Sequence, residues 1–151
     1  LNILKQTGAN PLRLKLELTE SMLVNDIEDI IIKMTLLKAH GVCFSLDDFG
    51  TGYTSLSHLS NLQLDALKID RSYIMQLEIN PKLVDSILQL ADAFSLRVIA
   101  EGVETIEQLK LLQQKQCHLA QGFLLSKPVE EETLIALLLE DIQTEQSEQA
   151  T

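Results

Sequence analysis

Five short runs of apolar or alternating character dominate the chain: residues 13–18 (RLKLEL), 42–46 (VCFSL), 66–69 (ALKI), 97–100 (RVIA) and 119–125 (LAQGFLL). The stretch between each run and the next is long enough for a helix. Across 25–40, Ile27, Ile30, Ile31, Met34 and Leu37 fall on helical spacing, and Gly41 stops them. Residues 82–94 repeat the pattern with Leu83, Val84, Ile87, Leu88, Leu90 and Ala91, opened by Asn80-Pro81. A third helix is expected over 105–114, from Ile106, Leu109, Leu111 and Leu112, and a fourth over 130–139, which begins with three acids. A shorter one is expected over 53–59. Strand and helix in alternation imply parallel strands joined by right-handed crossovers. Either an open doubly wound sheet or part of a (β/α) barrel satisfies that pattern.

The 151 residues suffice for one domain with a real core. With 46% hydrophobic residues, 4% aromatics and no Trp, that core must be aliphatic. The formal net charge of −10 argues against a duplex nucleic-acid partner and against docking on anionic lipid. No apolar run approaches the length of a spanning helix, so no direct membrane insertion is expected. The start, LNILKQTGANP, lacks the basic and apolar regions of a signal peptide. Cys43 and Cys117 sit in apolar stretches without ligand spacing and read as small hydrophobes of a reduced, cytoplasmic protein. His40, at a helix end, His58, on an expected exposed helix face, and His118, beside a strand, read as structural.

The acidity is unevenly placed. Four acids lie in the polar segment 140–151, which is expected to fray into solvent. Seven more stand where the apolar runs end: Glu17, Glu20, Asp47, Asp48, Asp70, Glu101 and Glu104. The remaining eleven acids balance the twelve bases. Parallel α/β folds bind ligands at the carboxyl ends of their strands, so these groups should converge, together with Lys68 and Gln121. Any one of them alone is ordinary, a helix cap or a snorkelling lysine. Seven carboxylates around one lysine need counter-charge. All-oxygen ligands select Mg²⁺, Mn²⁺ or Ca²⁺. The tandem Asp47-Asp48 suggests one carboxylate bridging two ions, an arrangement that serves phosphoester hydrolysis. Neither a dinucleotide fingerprint nor a phosphate-binding GxxxxGK[ST] loop is present.

The motifs LKLELTES, FSLDDFGTGYTSL, LKIDRSYI, VIAEGVET and LAQGFLLSKP, in this order, resemble the EAL-domain family of cyclic di-GMP phosphodiesterases. The resemblance runs from about Leu12 to Leu139. It implies a TIM-like (β/α)8 barrel, of which this chain supplies the C-terminal part with about five βα units. It further implies Mg²⁺- or Mn²⁺-dependent hydrolysis of cyclic di-GMP to pGpG. By the same resemblance Glu17 is a ligand of the first metal, Asp47 bridges, and Asp48 holds the second. Glu101 serves the second metal site and acts as general base. Lys68 orients the attacking water, with Asp70 beside it as a further catalytic group. Gln121 reaches the second metal site through water. Glu20 anchors the DDFGTG loop through a hydroxyl, here from Thr54 where the family usually has Ser, and Glu104 joins these groups around the ions or substrate. The connection 75–81 is about three residues shorter than usual and is expected to lie on the surface.

The Glu-Ala-Leu motif and the strands that precede these in the family are missing from the sequence. Residues 1–140 are therefore expected to be a partial domain and 141–151 a polar tail, with little activity from the chain alone. Open strand edges at 13–18 and 119–125 should favour homodimers. Upstream sensory or GGDEF-type domains are expected partners. Two other readings compete. A receptor that binds cyclic di-GMP without cleaving it usually lacks several of the acids retained here. An enolase-like barrel would use strand-end acids for Mg²⁺ and a lysine base, but the tandem aspartates and the glycine loop count against it.

Overall fold

The computed structural model describes residues 1–24, 26–50, 52 and 56–139. Its centre is a parallel five-stranded sheet: β1 (Lys15–Thr19), β2 (Cys43–Phe49), β3 (Ala66–Ile69), β4 (Arg97–Glu101) and β5 (Leu119–Gln121). The strands lie in sequence order, β1-β2-β3-β4-β5. That order decides between the two architectures left open above. A doubly wound sheet reverses direction at a switch point. Here every crossover steps to the next neighbour in the same direction, so the sheet is an arc of a (β/α) barrel, with β1 and β5 as its edges.

The helices are α1 (Asn2–Thr7), α2 (Ile27–Lys38), α3 (Leu56–Asn61), α4 (Arg71–Met75), α5 (Pro81–Ala93), α6 (Ile106–Gln114) and α7 (131–139). Their ends follow local chemistry. The Asp26 side chain caps α2 by accepting from the Asp29 N–H, and Pro81 occupies the first turn of α5. Thr105 and Gln108 form a reciprocal capping box on α6. No described helix is long and apolar enough to cross a membrane.

Strand alternation sorts the side chains into two faces. One face packs under the helices in two aliphatic clusters. Leu18, Phe44 and Leu46 meet Met34, Leu59 and Leu62. Leu67, Ile69 and Ala100 meet Ile74, Leu77, Val84, Ile87 and Leu112, with Cys117 buried beside them. The opposite face carries Glu17, Ser45, Asp47, Lys68 and Glu101. Both cysteines are free.

Four details differ from the sequence reading. β5 stops at Gln121, not 125, because the chain folds back onto the β4–α6 loop. Val103 donates to the Gln121 carbonyl and accepts from the Leu124 N–H, and Gly122 lies so close to the Val103 backbone that any side chain would collide. β2 runs three residues further than expected, through both aspartates. The connection after α4 is not purely surface: Leu77 is fully buried, whereas Ile79 is exposed. His58 is half-buried on α3. The expected tail and the start of the 53–59 helix lie outside the described residues.

The sheet is fastened at its other end by Asp65. Its Oδ2 accepts from the Phe44 N–H at 2.8 Å, and its Oδ1 accepts from Lys38 Nζ at 2.8 Å. Burial works to raise this carboxyl, but Lys38 and the Phe44 N–H outweigh it and hold it below the ordinary carboxylate value. A depressed acid contributes stability above its unfolded pKa and loses it as pH falls through the folded value. Asp65→Asn should therefore lower stability by about 1–2 kcal/mol at neutral pH. The deficit should shrink in acid unfolding titrations as pH falls below 4, and a constant deficit across that range would refute the assignment.

Candidate metal centre

Successive strand residues point to opposite faces, so tandem aspartates on a regular strand would separate. β2 is irregular where they occur. Its register with β3 shifts between Leu46 and Phe49, and Asp48 adopts φ +53°. Left-handed backbone at a non-glycine residue costs on the order of 1 kcal/mol and persists only where its surroundings impose it. This bulge brings carboxylate oxygens of Asp47, Asp48 and Glu101 within 4.8 Å of one another. Glu101 arrives from the end of β4, two strands away, and Lys68 from β3 between them.

Lys68 is the hub. It is 4% exposed, and its Nζ lies 2.6 Å from Glu101 Oε1, 2.8 Å from Glu17 Oε2 and 2.9 Å from Asp47 Oδ1. Burial alone would lower its pKa. The close contacts with the Glu101, Glu17 and Asp47 carboxylates outweigh burial and hold the ammonium well above its ordinary value. Lys68 thus faces these carboxylates as an ammonium and hydrogen-bond donor. Glu101 is pushed up by burial, against the opposing pull of Lys68. Asp48 is pushed up by desolvation and then by the neighbouring Asp47 and Asp70 charges. One cation facing Glu17, Asp47, Asp48 and Glu101 leaves a large excess of negative charge. A hard divalent cation fits this all-oxygen donor set.

The other expected residues take varied places. Gln121 pairs in register with Glu101 at the end of β5 and is exposed. Glu20 is buried against Gly52, and its Oε2 has no hydrogen-bond partner among the described residues. Thr54, its expected partner, lies outside them. Asp70 caps α4: its Oδ1 accepts from the Ser72 N–H at 3.0 Å and from the Ser72 hydroxyl at 2.5 Å. Glu104 pairs with Arg71 Nη2 at 2.7 Å.

Sequence reasoning missed two residues of α4. The Tyr73 hydroxyl donates to the Gly50 carbonyl at 2.5 Å, and the Arg71 side chain lies across Gly102. Both follow directly on the strand-end Asp70, in IDRSY, and that adjacency was the available signal.

The family model for the EAL domain matches residues 1–128. Cyclic di-GMP phosphodiesterase NbdA of Pseudomonas aeruginosa is 43% identical over 129 residues, which are 83% of this chain and 16% of NbdA. The structure of the P. aeruginosa MucR phosphodiesterase in complex with c-di-GMP is 40% identical, with a TM-score of 0.83. That match covers 88% of this chain and 55% of the MucR chain. The manganese and cyclic di-GMP complex of Klebsiella pneumoniae BlrP1 is 31% identical, with a TM-score of 0.73, over 82% of this chain and 32% of BlrP1. The chain therefore spans only part of the length of each of these proteins. On the family match, the barrel arc and the identity to these proteins, the chain belongs to the EAL domain family.

Proposed function

We propose that this chain is part of a metal-dependent phosphodiesterase domain that hydrolyses cyclic di-GMP to linear pGpG. The observation that carries the reading is the buried Lys68 ammonium shared by Glu17, Asp47 and Glu101, with Asp48 turned into the same site by a bulge. Asp47, Asp48, Glu101 and Glu17 would hold divalent ions, Mg²⁺ or Mn²⁺. When bound, such ions lower the pKa of a water and stabilise a leaving oxygen.

The chain's own groups supply the rest. Lys68 holds three carboxylates in one orientation and presents a fixed positive charge. Glu101 combines a raised pKa with a place in the cluster, the properties of a general base. Gln121 offers a neutral polar group beside it on the adjacent strand, and Glu20 and Thr54 would brace the glycine loop. Asp70 acts indirectly, by fixing the start of α4.

Five strands form only part of a closed eight-stranded barrel. Residues 1–140 are accordingly read as a partial domain and 141–151 as a tail, with catalysis needing further barrel strands. Partners would be cyclic di-GMP, a second copy of the chain and a GGDEF-type domain. The test is hydrolysis of cyclic di-GMP by the whole protein with Mn²⁺ or Mg²⁺. Metal-dependent release of pGpG, abolished by a chelator, is expected. Tight binding of cyclic di-GMP without turnover would replace the enzyme with a receptor.

A further inference from the structure

We propose that α4 is a clasp that positions the acidic centre, with the Tyr73 hydroxyl and the Arg71 side chain as its two positioning groups. The proposal rests on the metal-centre reading above. The acidic ligands come from β2 and β4, which do not touch each other because β3 lies between them. Lys68 ties Asp47 to Glu101 from β3, but the turns at Gly50 and Gly102 lie beyond these strand pairings and need their own support. α4 packs against β4 and reaches the turn after β2 through Tyr73. It starts directly after β3, its first turn is capped by Asp70, and Ile74 anchors it fully buried in the core.

From this platform the two side chains reach opposite loops. On the β2 side, the Tyr73 hydroxyl holds the carbonyl of Gly50, two residues after Asp48. Gly50 sits at φ +97°, and a Cβ there would stand 2.6 Å from the Tyr73 hydroxyl oxygen, so the ring lies hard against the loop. On the β4 side, the aliphatic part of Arg71 covers Gly102, the residue after Glu101, at φ +68°. Its guanidinium then pairs with Glu104. The ion pair is half exposed and adds little to stability, so its contribution is orientation rather than strength. Both glycines adopt left-handed backbone, where the absence of a side chain lets Tyr73 and Arg71 pack directly on them.

The experiment compares Mn²⁺ binding by the whole protein, titrated by electron paramagnetic resonance, for the parent, Tyr73→Phe, Arg71→Met and Arg71→Lys. Thermal unfolding and amide exchange of residues 48–50 and 102–104 are followed without metal. Tyr73→Phe and Arg71→Met should each weaken Mn²⁺ about 10-fold, the scale for groups that orient ligands without touching the ion. Exchange should quicken in the adjacent loop while the melting temperature moves by less than about 3 °C, the equivalent of roughly 1 kcal/mol at this size. Arg71→Lys, which can still cover Gly102 and pair with Glu104, should recover most of the loss. Unchanged Mn²⁺ affinity in both variants overturns the clasp, whether or not the loops loosen. Failure of the parent itself to bind Mn²⁺ overturns the metal-centre reading, and the clasp with it.

Discussion

Lys68→Met should destabilise the metal-free protein by about 2–4 kcal/mol. Methionine fills nearly the same volume, so the loss comes from charge. Glu17, Asp47 and Glu101 would keep their positions and lose their shared cation. Breaking a fully buried pair costs about 3–5 kcal/mol. The figure is discounted because these carboxylates are 45%, 21% and 16% exposed, and water screens them partly. At roughly 3 °C per kcal/mol, the melting temperature should fall by about 10 °C. The pH dependence has a definite sign. Without the ammonium, Glu101, which burial already pushes up, loses the group that opposes that push, so its folded-state value rises further. Such an acid contributes stability at low pH and loses it as pH rises through the folded pKa. The deficit should therefore be largest at neutral pH and narrow toward acid. Added Mn²⁺ should stabilise the variant, because a bound cation restores the missing charge. Under the proposed function, turnover should still fall by about 10²-fold or more, the scale of losing one electrostatic group. Equal melting temperatures for parent and variant at pH 7 would show that the ammonium does not hold these carboxylates together.

Much of the fold was legible because period-two and period-3.6 patterns report burial directly. In RLKLELT, Leu14, Leu16 and Leu18 alternate with Glu17 and Thr19, and the structure puts the leucines under the helices and Glu17 on the lysine. The choice between barrel arc and open sheet was not legible from periodicity. It depends on which strand neighbours which, and the residues of a buried parallel strand look alike in either order. The acids were findable as a set because strand ends converge whatever the loop details. Their individual roles were less so. Asp70 looks like its neighbours in sequence, and nothing there tells that its Oδ1 also caps the start of α4. The five-residue α4 left no periodic trace, since a helix that short is decided by its cap and by one buried residue, Ile74. The bulge at Asp48 was hidden for the same reason: an aspartate in left-handed backbone carries no signature in the sequence.

Glu101→Gln separates the chemistry of this centre from its architecture. The amide keeps the length and shape of the side chain, and its oxygen can still accept from Lys68, so that hydrogen bond need not be lost. Two other carboxylates, Glu17 and Asp47, continue to hold the ammonium. The melting temperature should consequently stay within about 3 °C of the parent. What disappears is one negative charge and the capacity to accept a proton. A metal-ligand amide oxygen is a weaker donor than a carboxylate, so Mn²⁺ affinity should drop by about 10-fold. Turnover of cyclic di-GMP at saturating metal should drop by at least about 10²-fold, the scale of losing a general base. Glu78→Gln, an exposed acid in the connection after α4, is the matched control and should leave both quantities unchanged. Steady-state release of pGpG by the three proteins makes the comparison. Suppose Glu101→Gln kept near-native turnover and metal affinity. Glu101 would then be one of three interchangeable partners of Lys68, and the catalytic acids would have to be sought in the Asp47-Asp48 bulge alone.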